Sequence, residues 1–558
     1  MPETSAQTSR WVGGARPYAL LVALCLLLYL PGIAAIPPLD RDEARFAQAT
    51  RQMLETGDFL RIRFQDEARN KKPAGIYWLE AASVSLFSSA ESTAIWPYRL
   101  PSLLGAMVAV LLTFAFGARL LRSGSDPPAA RRTAFFAAVL LASSLGLMAE
   151  AHIAKTDAVL LAAIVAAQGA LGLAYVRARA ERPVSAWIAA VFWIAQAAAV
   201  LLKGPAGPAL AITTAGALSV ADRDWRWLGG LRPVAGAIFL TAALTPWLVA
   251  IERATEGRFL ADALGQDLAM KLIGPQESHG APPFAYLVLS LATFWPGSLL
   301  LLPALLRGWR RLDMPVERFL IAWLVPAWAL LELVPTKLPN YVLPLYPALA
   351  LLAASALVDG MAHGGWARWT DVAVKSAWTI VTIVLATALI FLPLRFGGPV
   401  ASAIAGAVLL LGLAAAMLYR RGTAPLAAAG FAALAFAFIA SAGSSMLPGL
   451  ERLWLSRAAA GLVAQHPRET GAPLIAVGYS EPSLVFMLGT EVRLTTPRGS
   501  AEALGNGGDA LVSNREEAMF RQALSARGLV PHALGTAPGF DYSNGQRMVL
   551  TLYRVTPG

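Results

Sequence analysis

Apolar runs long enough to cross a bilayer return again and again along this chain, and that recurrence leaves few folds open to it. They fall at 17–36, 98–118, 133–150, 157–176, 186–202, 205–221, 233–251, 284–306, 318–335, 341–358, 374–394, 400–418 and 424–446. A helix rises about 1.5 Å per residue and a hydrocarbon core is about 30 Å thick, so runs of roughly 17 to 23 residues can span. Backbone polar groups cannot go unpaired in lipid, which makes such runs helices. The expectation is a mainly α, polytopic membrane protein with about thirteen transmembrane helices. Composition excludes an ordinary soluble domain, because only 15% of the 558 residues are charged where about a quarter is usual.

The net charge of +11 would suggest nucleic acid in a soluble chain. Here Lys and Arg fall mainly in short loops, where membrane orientation accounts for them, and no nucleic-acid partner is expected. With the N-terminus cytoplasmic, every inner loop is basic. Arg119, Arg122, Arg131 and Arg132 lie in one, Arg177, Arg179 and Arg182 in the next, and Arg223, Arg226 and Arg232 in a third. Arg307, Arg310 and Arg311 follow, then Arg368, then Arg420 and Arg421. An odd number of spans puts the C-terminus outside. The first run, preceded by Arg10 and Arg16, reads as an uncleaved span rather than a signal peptide. The only cysteine, Cys25, lies within it and reads as packing; no disulfide or CxxC metal site can form.

Two outer loops are basic against that rule: 37–97, and 252–283 with Arg253, Arg258 and Lys271. In the first, Asp40 and Glu43 have capping-box spacing, and a helix over about 41–56 should end at Gly57. Asp42, Arg45 and Phe46 would share one face, with Ala47, Met53 and Leu54 on a side able to lie on the membrane. Pro73 suits the first turn of a second interfacial helix, so Lys71 and Lys72 stand at an N-terminus where the dipole favours an anion. The same lysines could equally meet anionic headgroups without specificity. Ile76, Tyr77 and Trp78 read as an interfacial anchor.

From about 447 the pattern changes. PLIAVGY, SLVFMLG, EVRLTT and MVLTLYRV read as short strands, and EEAMFRQALSARG as a helix closed by glycine. The domain division expected is a transmembrane domain over 1–446 and a small α/β domain over 447–558 on the outer side.

The order DEARFAQATRQMLETGDFL, NKKPAGIYWL, AKTDAVLL, LLKGPAGPAL, KLIGPQESHGAPPFAYL, TKLPNYVLPLYPALALL over about 20–355 resembles the bacterial ArnT/PMT-like (GT-C type) glycosyltransferases. The resemblance implies a multi-span enzyme of the inner membrane with a polyprenyl-phosphate sugar donor and a cavity at the periplasmic face. It places Asp42 at the family's first-loop catalytic aspartate, Asp157 at its second aspartate, and Arg45 and Lys72 at positions implicated in the donor phosphate. Lys271 stands where the family often has Arg, and a lysine keeps the point charge a phosphate needs. Close relatives carry a Glu where Lys71 stands, in a region associated with a divalent metal. No metal or other cofactor is expected here.

Lys71, Lys203, His279, Lys337 and Tyr341 complete the candidate donor-binding set. Lys203 lies in KGP between two apolar runs, and an ionisable group at membrane depth is a functional candidate; it could also be interfacial. Asp157 could simply be a helix-start carboxylate favoured by the dipole, with Glu150 or His152 pairing Lys155 instead. Glu332, one turn before Lys337, is expected to pair with a cation. The function that results is transfer of a sugar, with inversion implied by the resemblance, to a lipid A-like, glycan or protein acceptor, among membrane lipids. Arg45, Lys72 and Lys271 would stabilise the leaving lipid phosphate, and Asp42 would act as general base, with Asp157 as second catalytic choice or as its orienting partner. The competing class is a transporter or flippase of a phosphate-bearing lipid, against which stand charges gathered at one face and no evident inverted repeat.

Overall fold

The computed structural model describes residues 13–263, 265, 281–359, 368–419, 423–468 and 471–558. Lys271 and His279 lie outside the described residues. All thirteen apolar runs are helical along most of their length. Eight helices among the described residues are long and apolar enough to cross a membrane, or nine if one bent pair counts as a span, so a count of thirteen is not established.

The shortfall has local causes. The first helix, Arg16–Tyr29, stops at Pro31 and Gly32, and Gly32 has φ +90. A side chain there would meet Gly443 O at 2.5 Å, so the chain's first and last apolar helices meet backbone to backbone through two glycines. The run at 133–150 is bent by 62° between Pro127–Ala142 and Leu145–Ala151, because the Leu145 N–H donates to Trp295 O at 2.9 Å instead of continuing the helix ladder. The run at 284–306 breaks into Ala285–Thr293 and Leu301–Arg310, with Pro296 removing a donor between them. The runs around Lys203 are two helices, Ala186–Lys203 and Ala206–Asp222.

Three of the loops expected inside, around 121–129, 179–180 and 307–317, converge at one end of the bundle. Arg307 bonds Glu317 and Asp359, Arg179 and Arg318 both reach Asp222, and a cavity of about 320 Å³ lies among them. The 37–97 loop and the C-terminal domain occupy the other end.

The C-terminal domain holds a five-stranded mixed sheet in the order Arg493–Thr495, Leu474–Val477, Gly508–Ser513, Gln546–Pro557, Leu529–Asp541. Leu474–Val477 runs parallel to both neighbours; the remaining pairs are antiparallel. Alternate residues feed two cores, Leu474, Ala476 and Leu511 on one face and Ile475, Val477 and Val512 on the other. EEAMFRQALS is helical at Glu517–Ser525, as expected. SLVFMLG is not a strand: Pro482–Leu488 is a helix with Pro482 in its first turn. The strands at 508–513 and 529–541 escaped the sequence reading.

This domain docks on the 37–97 loop. Asp42–Thr56 is a helix closed by Gly57 at φ 71, but Asp40 does not cap it. The Asp40 backbone N–H donates to Tyr542 OH at 2.6 Å and its carboxylate accepts from Ser483. Ala47 and Met53 are buried in protein rather than lying on a membrane. Ala47 packs with Phe486 of the C-terminal domain, Gln48 donates to Thr490 Oγ1 at 2.8 Å, and Arg51 donates to Phe486 O at 2.7 Å. Ala47 thus packs on the C-terminal domain while Met53 joins the core of the bundle.

Two carboxyls in this interface carry a pH dependence. Burial pushes Asp40 up to about 6, with hydrogen bonds from Ser483 and Tyr542 opposing and the charge of Asp541 adding. Burial, then the charges of Asp40 and Asp541, push Glu481 up to about 7 against Ser543 and Arg41. Both values lie above the ordinary carboxylate range, so the docked state holds protons that the undocked state releases. Docking is therefore strongest at acid pH and weakens as pH rises through about 6 to 7. Thermal unfolding of the full chain should shift to lower temperature between about pH 5 and pH 8, and Asp40→Asn with Glu481→Gln should flatten that shift. A wild-type melting profile level across this interval would contradict it.

Candidate functional site

The 37–97 loop is fixed to the bundle by a buried ion pair that sequence reasoning missed. Glu43 and Arg99 are both fully buried. Arg99 Nε donates to Glu43 Oε1 at 2.7 Å and Nη2 to Oε2 at 2.8 Å, while Ile33, Ile36 and Pro37 carbonyls take its other bonds. Glu43 also accepts from the Leu39 and Ala154 N–H groups, each at 2.8 Å. Glu43 is thus a hub joining three chain segments rather than half of a capping box.

That hub sets Asp42 at the mouth of the bundle. Asp42 is exposed and Arg45 half-buried, whereas Phe46 turns inward and stacks on Tyr77 at 5.2 Å, under the Arg69 guanidinium. Tyr77 and Ile76 are fully buried, so of the expected interfacial anchor only Trp78 keeps exposure, donating to Phe59 O at 2.8 Å. The second helix begins at Gly75 rather than at Pro73, with Lys71 exposed and Lys72 half-buried just before it. A Cβ on Gly75 would meet Leu201 O at 2.6 Å. Only glycine allows this approach, which brings the Lys71–Lys72 segment against the helix end that carries Lys203.

The charges converge at that helix end. Lys203 Nζ lies 2.5 Å from Asp157 Oδ1 and Lys155 Nζ 3.4 Å from Oδ2. Lys155 also reaches Glu150 Oε1 at 3.1 Å, and Asn340 hydrogen-bonds Asp157. Lys203 sits 5.2 Å over the Tyr341 ring. Asp157 is therefore neither a free base nor a lone dipole charge; its two oxygens hold two ammonium groups. Burial disfavours the Lys155 ammonium, but Glu150, Asp157 and, through space, Asp42 more than offset this and hold it charged above the usual lysine range. Ser102 fixes the backbone of Lys155 at its N–H and its carbonyl. His152 plays no part, since its ring bonds the Met148 and Pro31 carbonyls.

Both described ends of the 252–283 loop touch this region. Asn70 donates to Asp262 Oδ2 at 2.9 Å, and buried Lys337 donates to Ala281 O and Val334 O. Glu332 pairs with no cation among the described residues. It accepts from the N–H groups of Tyr286 and Leu287 instead, satisfying the start of the helix at Ala285. No three His, Cys, Asp or Glu side chains gather among the described residues.

No family model matches the chain. Undecaprenyl phosphate-alpha-4-amino-4-deoxy-L-arabinose arabinosyl transferases are similar to it. The protein from Pseudomonas paraeruginosa is 30% identical over 345 residues, covering 60% of this chain and 59% of its own length. That from Pseudomonas savastanoi pv. phaseolicola is 28% identical, covering 68% of each. The crystal structure of ArnT from Cupriavidus metallidurans bound to undecaprenyl phosphate superposes with a TM-score of 0.73 over 97% of this chain and 98% of that one, at 19% identity. The chain is similar in sequence to these transferases and shares the fold of the ArnT structure. Its apo counterpart superposes at 0.69; at such identities the crystal structures speak for the fold, which runs through the C-terminal domain as well as the bundle.

The structure brings Asp157, Lys203 and Tyr341 together, with Asp42 nearby. It adds Lys155, Glu150 and Asn340, which the sequence reading had not placed in the site. The signal for Lys155 was its position two residues before Asp157, at a helix start.

Proposed function

We propose that this chain is a membrane glycosyltransferase that moves a sugar from an undecaprenyl-phosphate-linked donor to a lipid A-like, glycan or protein acceptor. It works at the periplasmic face of the inner membrane, with the N-terminus cytoplasmic and residues 447–558 forming a periplasmic domain. The observation that carries this reading is the pair of ammonium groups, Lys155 and Lys203, held on the two oxygens of Asp157 within the field of Asp42. The names of the relatives and the lipid in the ArnT crystal structure support it.

As the bond from the anomeric carbon to the phosphate oxygen breaks, its electron pair stays on the lipid phosphate. Lys203 and Lys155, with Arg45, Lys71 and Lys72 from the first loop, stabilise that growing charge. Lys271, His279, Lys337 and Tyr341 belong to the same donor side in this reading. The acceptor oxygen forms the new bond from the opposite face; a hydroxyl acceptor passes its proton to Asp42, whereas a phosphate acceptor needs no base and Asp42 then positions it. Asp157 orients the two lysines rather than taking a proton. Full-length chain in nanodiscs, given undecaprenyl-phosphate-linked 4-amino-4-deoxyarabinose and lipid A, should release undecaprenyl phosphate. Tight lipid binding with no release, whatever the donor sugar, would favour a flippase instead.

A further inference from the structure

Asp42 is held through both chain neighbours. On the C-terminal side Glu43 is locked by Arg99. On the N-terminal side the partner is the outer domain: Arg41 Nη2 donates to Ser543 O at 2.6 Å, and Tyr542 and Ser483 hold Asp40. The 541–544 turn is itself rigid, because the Asp541 carboxylate accepts from the N–H groups of Ser543 and Asn544 and from the Asn544 amide. Trp454 packs edge-on against Tyr542 at 6.2 Å.

Arg41 adopts φ 65 and ψ −109 as the N-cap of the Asp42–Thr56 helix, with no side-chain cap bond. This backbone region is open to glycine and unfavourable for a side chain. A residue stays there only when its surroundings over-determine it, and here the surroundings are the Ser543 carbonyl and the clamp on Asp40. The dihedral of Arg41 sets the direction in which the next residue leaves the helix start, and that residue is Asp42.

We propose that the 541–544 turn of the C-terminal domain is a positioning element of the transferase site, which aims the Asp42 carboxylate at the acceptor by holding Arg41. This deepens the transferase reading and rests on it. The outer domain then acts in turnover itself, not only in recruiting an acceptor, and Arg41, Tyr542 and Ser483 are positioning residues.

The test uses full-length chain in nanodiscs with the donor and lipid A as above. Arg41→Gly relieves the backbone and removes the bond to Ser543, so its melting temperature should equal or exceed that of the wild type. Its kcat should nevertheless fall by about tenfold to a hundredfold with KM for the donor little changed. Arg41→Lys, which can still donate to Ser543 O, should recover most of kcat, and Tyr542→Phe should lose it. Normal kcat in both Arg41→Gly and Tyr542→Phe beside an active wild type would overturn the positioning role alone. So would losses of kcat that merely track losses of thermal stability. A wild-type chain that transfers nothing would overturn the transferase reading, and this one with it.

Discussion

Lys203→Met is expected to weaken binding of undecaprenyl phosphate by at least about tenfold and to lower transfer by at least as much. A hydrogen bond to a charged group is worth about 1.5–3 kcal/mol, which is roughly ten- to hundredfold in affinity. Two effects act in the same direction here. The variant loses one ammonium group from the donor side, and it strips a partner from Asp157, whose side chain is only 7% exposed. A buried carboxylate left with less compensation draws the remaining cation to itself, so Lys155, already shared with Glu150, becomes less available to the phosphate. Methionine keeps the packing over Tyr341, which separates charge from shape. Equilibrium binding of labelled undecaprenyl phosphate to the purified variant measures this; wild-type affinity would remove Lys203 from the donor side.

The second large effect is on folding. Arg99 donates all five of its N–H groups, to both oxygens of Glu43 and to three carbonyls. Arg99→Leu leaves the Glu43 charge buried without its counter-ion, a change that costs about 3–5 kcal/mol. Arg99→Lys should recover little of it, since an ammonium cannot reproduce the planar fork. Replacing both partners with apolar residues should cost less than Arg99→Leu alone, because no charge is then stranded. Thermal unfolding of the membrane-reconstituted variants tests this ordering; an Arg99→Leu chain as stable as the wild type would contradict it.

These two sites also show what the sequence could and could not carry. The helices were legible because hydrophobic length has no other economical reading in a chain of this composition. The end of the first-loop helix was legible because Gly57 supplies the left-handed residue that a helix stop needs. Arg99 was not legible: an arginine at the start of an apolar run looks like any interfacial charge, and nothing in spacing points to a carboxylate 56 residues upstream. Ala47 and Met53 gave a buried face but not its partners, since a membrane, a docked domain and the bundle core bury the same kinds of side chain; Ala47 meets Phe486 and Met53 joins the bundle core. SLVFMLG could be strand or helix on periodicity alone, as short apolar runs generally can; Pro482 in the first turn and the contact of Phe486 with Tyr98 favour the helix. In the site itself, the sequence left Asp157 open between a second base and an orienting partner, because spacing does not show which cations reach it; in space its two oxygens hold Lys155 and Lys203.

The most direct test is acceptor-dependent release of undecaprenyl phosphate by the reconstituted chain, measured for the wild type and for Asp42→Asn side by side. With lipid A present, the wild type should release the lipid phosphate, and the variant should do so about a hundredfold more slowly while binding it as well as before. Equal rates in the two, or no release by a wild type that binds the lipid, would contradict the assignment of a cation-held phosphate facing a single reactive carboxylate.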